Sequence, residues 1–284
     1  MADLTPANDV GPDVKIPGAK RRNLRRWINR ITWGLIILAP IVFACAAIGY
    51  KLGLIDLPFA FGQLNRKIGP LVLILCGLFG LVSLILAFVI KPRKGLIAGV
   101  LGVLVAGFAM GKLAATKNAV YVKYPFIHDI TTDTQSPPVF GEIVMAERLA
   151  IEGVNTTDYA GKTAPIFKDE KPEGEKLVSV LQTNAFPEIR PLVLSDTKDV
   201  AFGEALATAK SMGWDIKEED LEAGRIDATD TTFWYGFEDD ITIRLRPSEG
   251  GGTIVDVRSL SRVGGSDLGK NAARVGKFLE RLGE

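Results

Sequence analysis

Ile241-Thr242-Ile243-Arg244-Leu245-Arg246, a turn over Ser248 to Gly252, and then Thr253-Ile254-Val255-Asp256-Val257-Arg258-Ser259-Leu260-Ser261 decide the fold of the second half of this chain. Successive side chains of a strand point to opposite faces. Ile241, Ile243 and Leu245 therefore share one face, and Thr242, Arg244 and Arg246 share the other. On the returning strand Val255 and Val257 repeat the inward set, with Asp256 and Arg258 outward. Strands joined by a short glycine-rich turn pair antiparallel.

Upstream, Trp214 to Lys217 and Gly224 to Thr231 read as two further short strands around a turn. Before them, Phe202, Leu206, Ala209 and Met212 keep helical spacing, with Asp196 as the N-cap and Gly213 closing the helix. Downstream, Ser266 is assigned as the cap of a last helix, in which Leu268, Ala272, Val275, Leu279 and Leu282 form an apolar stripe. The order helix, four strands, helix predicts an α+β domain with a four-stranded antiparallel sheet packed on helices, of the helix-grip kind. Its first part is loop-like, punctuated by Pro125, Pro137, Pro138, Pro165 and Pro172, with a short helix over Glu142 to Ala150.

The apolar residues lie elsewhere. A mean hydropathy of +0.20 in a chain that is 24% charged requires them to be concentrated. Ile31 to Tyr50, Ile68 to Ile90 and Gly95 to Gly111 are runs of 20, 23 and 17 residues without a charge. At about 1.5 Å per residue each spans, or nearly spans, the hydrocarbon core of a bilayer. The first starts too late and runs too long for a signal peptide. The segment from Lys51 to Lys67 is expected as an interfacial loop, interrupted by Asp56 and Pro58, with a re-entrant hairpin as the other reading. The spans have no ionisable interior residue, which argues against a transporter or channel. In the third, Gly95, Gly99, Gly107 and Gly111 lie on one ridge and Ala98, Gly102 and Ala106 on the next. Small residues at this spacing suit close packing on the other spans, or a homo-oligomer contact. Cys45 and Cys76 read as small apolar fillers.

Charge separates the two halves. Residues 1–117 hold 15 Lys and Arg against 4 Asp and Glu, a net of +11; residues 118–284 hold 19 against 29, a net of −10. Seven basic residues precede the first span and three lie between spans two and three, against three in the first loop. The positive-inside rule then predicts a cytoplasmic basic tail (1–30), a three-span domain (31–117) and an extracytoplasmic domain (118–284). A basic cluster directly before a span reads as a topological and anionic-lipid signal rather than a nucleic-acid site. This predicts a multi-pass membrane protein whose C-terminal domain lies across the membrane from its N-terminus, the lipid bilayer its first partner.

Three stretches are distinctive together. They are Ile127-His128-Asp129-Ile130-Thr131-Thr132-Asp133 with Pro137-Pro138-Val139-Phe140; Thr229 to Asp240 followed by Arg244 and Arg246; and Val257 to Gly264 with Ser266-Asp267-Leu268-Gly269, Asn271 and Arg274. Over about residues 124–282 the chain resembles the domain-of-unknown-function family 1499, found mostly in proteobacteria. Phe186-Pro187-Glu188-Ile189 fits as well, although the family often has Tyr at the position of Phe186. Many members are similar in carrying an N-terminal multi-span segment. The resemblance implies domain boundaries and, with the charge asymmetry, a bacterial inner membrane with the C-terminal domain in the periplasm; it implies no mechanism.

Chemistry has few carriers. With two cysteines and one histidine, a disulfide scaffold and a zinc site of Cys and His alone are excluded, and no metal or cofactor is expected. His128 beside Asp129 could form a general base, the basis of an envelope-hydrolase alternative; the competing reading makes both turn-forming groups. Asp239 and Asp240 could hold a cation, or sit solvated in a hairpin turn. Arg244, Arg246 and Arg258, with Arg262 close behind, share the face opposite the apolar one, and Asn271 follows on the last helix. Guanidinium forks suit phosphate and carboxylate, so this face is a candidate site for a lipid headgroup or another anionic envelope component. The structural alternative is a cross-strand ladder with Asp227, Asp230 and Asp256. Trp234, Tyr235 and Phe237 either join the core or rim that face. The leading expectation is a membrane-anchored binding or scaffold domain.

Overall fold

Helix α1 runs unbroken from Ala19 to Lys51, 33 residues with Pro40 inside it. The computed structural model describes residues 19–168 and 170–284, in two units that divide between Lys112 and Leu113. In the first unit α1 is followed by α2 (Gly69–Val89) and by most of α3 (Leu96–Asn118), whose last turns belong to the second. All three are long and apolar enough to cross a membrane. The expected loop from Lys51 to Lys67 is instead largely helical: a π-type helix over Pro58–Ile68 runs directly into α2. Pro58 stands in the first turn, where its missing N–H costs nothing, and Asp56 Oδ1 accepts the Phe59 N–H at 2.7 Å. The two residues that seemed to interrupt a helix start one.

Within this unit the small residues pack as well as thin the chain. Ala98, Gly99, Gly102 and Ala106 are buried, and a Cβ at Gly80 would meet the backbone of Gly99, Gly102 and Val103 at 3.0–3.1 Å. Gly107 and Gly111, from the neighbouring ridge, have nothing within 4 Å of a Cβ position. Cys76 is buried and Cys45 exposed. Arg25 is only 4% exposed, because Nη1 donates to the carbonyls of Ile90 at 2.8 Å and Pro92 at 2.6 Å. It bonds the Ile90 carbonyl at the end of α2 and joins the Lys94 N–H on the Pro92 carbonyl.

The second unit contains β1 (Asp129–Thr131), α4 (Glu142–Leu149), β2 (Thr163–Lys168), β3 (Lys171–Leu177), α5 (Val178–Ala185), β4 (Leu192–Leu194), α6 (Lys198–Ser211), β5 (Asp215–Asp220), β6 (Arg225–Thr231), β7 (Glu238–Pro247), β8 (Thr253–Ser261) and α7 (Lys270–Leu282). The main sheet has the order β1-β8-β7-β6-β5, with β4 also on β8, and every pairing is antiparallel. The four expected strands become six, because two three-residue strands pair with the far side of β8. β2 and β3 form a separate hairpin in the region read as loop.

The alternating pattern builds the core as read. Ile241, Ile243, Leu245, Val255 and Val257 pack with Ala201, Phe202, Ala205 and Ala209 of α6 and with Ala272, Val275, Phe278 and Leu282 of α7. Trp214 stacks on Phe278 with ring centres 5.3 Å apart. The caps differ from expectation. Thr197, not Asp196, is the residue before α6. At α7, Asp267 Oδ2 accepts the Asn271 N–H at 2.9 Å, whereas Ser266 Oγ takes only the Leu268 N–H at 3.4 Å. Burial pushes the Asp267 carboxyl up to about 6. Leu268 lies outside the helix, at φ +59. Gln182 of α5 closes the free edge of β1: its amide accepts from Thr131 N at 3.0 Å and donates to Thr131 O at 2.7 Å, as a further strand would.

Gly224 joins β5 to β6 at φ +66, and a Cβ there would run into the carbonyl oxygen of Leu245. Gly224→Ala should therefore lower stability by more than the roughly 1–2 kcal/mol of the left-handed backbone alone. Denaturant unfolding of the full chain in detergent, followed by tryptophan emission, measures it; a neutral result would contradict the close approach.

Candidate functional site

The face of the sheet opposite the apolar core carries Asp129, Asp227, Thr229, Asp240, Thr242, Arg244, Arg246, Asp256, Arg258 and, just past β8, Arg262. It is not open to water. Residues 132–159, including α4, lie over it, and Asp129, Asp227, Asp240, Asp256 and Thr242 are fully buried. The Phe140 ring lies between two guanidiniums, 5.2 Å from Arg258 and 5.8 Å from Arg148, and Tyr159 stacks 5.6 Å from Arg258.

Three knots of charge hold the cover to the sheet. In the first, Arg258 donates Nε and Nη2 to both oxygens of Asp129 at 3.0 and 2.9 Å, and Nη2 also to the Thr157 carbonyl at 2.6 Å; Lys162 adds a bond to Asp129 at 3.2 Å. In the second, Asp240 accepts from Arg148 Nη1 at 2.7 Å, Arg262 Nη2 at 2.8 Å and Thr229 Oγ1 at 2.9 Å. Arg262 also reaches Glu238 and Glu147, both at 2.6 Å. Burial works against the charge on Arg262, but Asp240 and Glu147 more than offset it and raise its pKa; for Arg148 burial prevails and lowers it. In the third, Asp256 accepts from Arg244 Nη2 at 2.8 Å and Arg246 Nε at 3.0 Å, with Asp133 bonding Arg244 at 3.2 Å. Beside these, Asp227 bonds Arg225 at 2.9 Å, and burial pushes its carboxyl up.

Arg258 and Arg262 thus belong to an interior layer and not to the outward surface expected of them, while Arg244 and Arg246 stand at its solvent-reached margin. The physical reason is that every guanidinium has a carboxylate directly across or beside it, so the layer can leave water. Side-chain exposure is 3% for Arg258, 6% for Arg262, 26% for Arg244 and 44% for Arg246. Asp239 and Asp240 are likewise not solvated turn residues. They are neighbouring positions of β7 facing opposite ways: Asp240 into this layer, Asp239 to the helix side, where Arg274 bonds it at 2.7 Å and Asp230 at 2.7 Å. Asn271 sits in the same inner cluster, bonded to Arg274, accepting from Ser259 at 2.8 Å and donating to Ser261 at 3.1 Å.

His128 and Asp129 are adjacent but differently engaged. His128 Nδ1 meets the Gly265 carbonyl at 3.2 Å, while Asp129 spends both oxygens on Arg258 and Lys162 rather than orienting the imidazole. His128 Nε2 is enclosed without a hydrogen-bond partner. Burial first, and the Lys162 charge second, lower its pKa. No group of three or more His, Cys, Asp or Glu residues is arranged to hold a metal among the described residues. Trp234 is neither core nor part of the arginine layer; it stands 64% exposed in the β6–β7 connection. The reading from sequence missed Arg148, Lys162 and Glu147 as members of the layer. Arg148 was detectable, since it stands four residues after Val144 on the buried side of α4.

Fold and site together define a chain with three apolar membrane-length helices and an α+β domain whose sheet is buried on one face by apolar side chains and on the other by ion pairs. Residues 129–282 match the family described as "Protein of unknown function (DUF1499)", and the chain belongs to that family. No curated protein matches the sequence.

Two measurements test the layer. Asp240→Asn leaves buried Arg148 without its carboxylate and takes one of three from Arg262, and should cost about 3–5 kcal/mol, whereas Arg246→Gln, at a half-exposed pair, should cost less than about 1 kcal/mol; comparable losses would mean the layer is wet. His128 makes one contribution to the pH dependence. Its folded pKa lies below its unfolded one, so stability is full above about pH 6.5 and falls as the pH drops through that value, because the unfolded imidazole takes the proton more readily. His128→Gln should flatten that loss. Asp267, raised by burial, has the opposite slope, so the comparison must be made variant against parent.

Proposed function

We propose that this protein is a membrane-anchored module of the bacterial envelope, held in the inner membrane with its N-terminus in the cytoplasm and its α+β domain in the periplasm, and that the domain works by binding or scaffolding rather than by catalysis. One observation carries the reading: the side chains that looked reactive are committed to pairs that hold the domain together. Asp129, Asp240, Arg258 and Arg262 are each buried and multiply bonded. A hydrolase would need the Asp129 carboxylate to orient His128, and Arg258 and Lys162 occupy it.

The orientation is supported by the ten-to-three distribution of basic residues. Within the anchor, Arg25 of the basic tail bonds Ile90 and Pro92 beside the other basic loop, so the two positive segments share one end of the helical unit. Arg244 and Arg246 are the members of the arginine set that solvent reaches, and a phosphate or carboxylate ligand would meet these two in competition with Asp133.

Alkaline phosphatase fused after Glu284 should be active in cells, and a reporter that fluoresces only in the cytoplasm should be dark there. The reverse pattern would overturn the orientation. If His128→Ala abolished function while the thermal transition of the full chain stayed in place, the binding reading would give way to the hydrolase.

A further inference from the structure

The connection between β6 and β7 reads Thr232-Phe233-Trp234-Tyr235-Gly236-Phe237. It is a closed turn: Thr232 N donates to Phe237 O at 2.8 Å, Gly236 N to Thr232 O at 2.9 Å, and Phe237 N to Thr232 Oγ1 at 2.8 Å, with Gly236 at φ +66. Tyr235 and Phe237 stack with ring centres 5.4 Å apart. Phe233 and Trp234 meet edge to face at 5.2 Å and remain 75% and 64% exposed. Exposing two large rings to water is unfavourable in proportion to their apolar area. The internal bonds of the turn hold them outward instead of letting them fold back on the domain.

The position of this turn gives the rings a destination. Glu238 starts β7 opposite Thr231, and its carbonyl accepts the Arg262 N–H at 2.9 Å. β1 starts at the same end of the sheet, with Asp129 opposite Leu260 and Leu260 opposite Asp240. The segment leading into β1 packs there as well: a Cβ at Gly265 would meet the Phe126 ring, a Cβ at Gly269 the Tyr124 ring, and His128 O accepts the Ser261 N–H at 3.0 Å. The chain therefore arrives from the third apolar helix at the end of the sheet that carries the aromatic turn. A π-type turn over Ala119–Lys123 continues α3, and from Lys123 to Asp129 is a reach of at most about 20 Å. Tryptophan favours the boundary between headgroups and hydrocarbon, where its ring is buried and its N–H stays wet. Bulk attraction to anionic lipid is not available, since residues 118–284 carry a net charge of −10.

We infer that the Phe233–Trp234 turn inserts into the interfacial layer of the bilayer that the chain itself spans, and so sets which end of the domain faces the membrane. Arg244 and Arg246 lie toward the other end of β7, about 23–30 Å along the strand from the turn. They are directed away from that bilayer, toward partners in the aqueous space. The inference rests on the membrane-anchored reading.

The test uses the full chain in phosphatidylcholine vesicles with or without brominated acyl chains. In a Trp27→Phe, Trp33→Phe background the remaining tryptophans are Trp214, which is 5% exposed in the domain core, and Trp234. Brominated lipid should reduce the emission contributed by Trp234 at least about two-fold. Further change of Trp234→Phe should abolish the lipid sensitivity and leave both the Trp214 emission and the thermal transition unchanged. High salt should not restore the lost emission, because apolar insertion is not screened. Unquenched Trp234 would overturn the inference, as would quenching that required anionic lipid and vanished in salt. The parent chain separates the two readings. If Trp27 and Trp33 are quenched and Trp234 is not, only the turn is wrong; if none is quenched, the anchoring is wrong and the inference falls with it.

Discussion

A buried arginine must be neutralised and hydrogen-bonded where it lies, and the second face of this sheet is organised by that requirement. Asp240 receives Arg148 from α4, Arg262 from beyond β8 and Thr229 from β6, which ties three parts of the chain to one carboxylate. Seating α4 there brings Phe140 and Tyr159 over Arg258, and only under that lid can the Arg258–Asp129 pair leave water. Apolar residues could fill the same space with comparable stability. They would not set the angle at which the cover meets the sheet, as planar forks on fixed carboxylates do.

The same use of arginine recurs in the helical unit. Arg25 donates to the carbonyls of Ile90 and Pro92, much as Arg258 donates to Thr157 and Arg148 to Asn155. In each case a guanidinium bonds backbone oxygens of irregular chain in a dry place. A basic residue near a span can thus have two roles that do not compete, one in setting topology and one in closing the end of a helix.

The parts of the fold with a long period were legible. The β7–β8 alternation, the α6 and α7 stripes and the three apolar runs each repeat a spacing over enough residues to be read without context. The two extra strands were not, since β1 and β4 have three residues each and exist by virtue of what β8 offers them. Alternation showed correctly that Arg244, Arg246 and Arg258 share a face, but a pattern of residues along one strand contains no information on whether another segment lies on top. Charge was therefore read as exposure, and Asp239 and Asp240 were read as a solvated turn. The caps failed for a local reason: Ser266 and Asp267 are adjacent, either can accept from a backbone N–H, and only the φ +78 bend at Gly269 decides between them.

β8 is the hub of the sheet, hydrogen-bonded to β7 along one side and to both β4 and β1 along the other, yet it is the last strand in chain order. A ribosome delivers this polypeptide in the opposite order of need. Asp129 to Thr131 are made some 130 residues before the partners that turn them into a strand, and the carboxylate of Asp129 is made as long before the guanidinium of Arg258. Until residues 253–261 have been added, neither edge segment has a ladder to join. Assembly of the domain is thus governed by its final strand, and the long stretch ahead of it must wait, unpaired, on whichever side of the membrane it has reached.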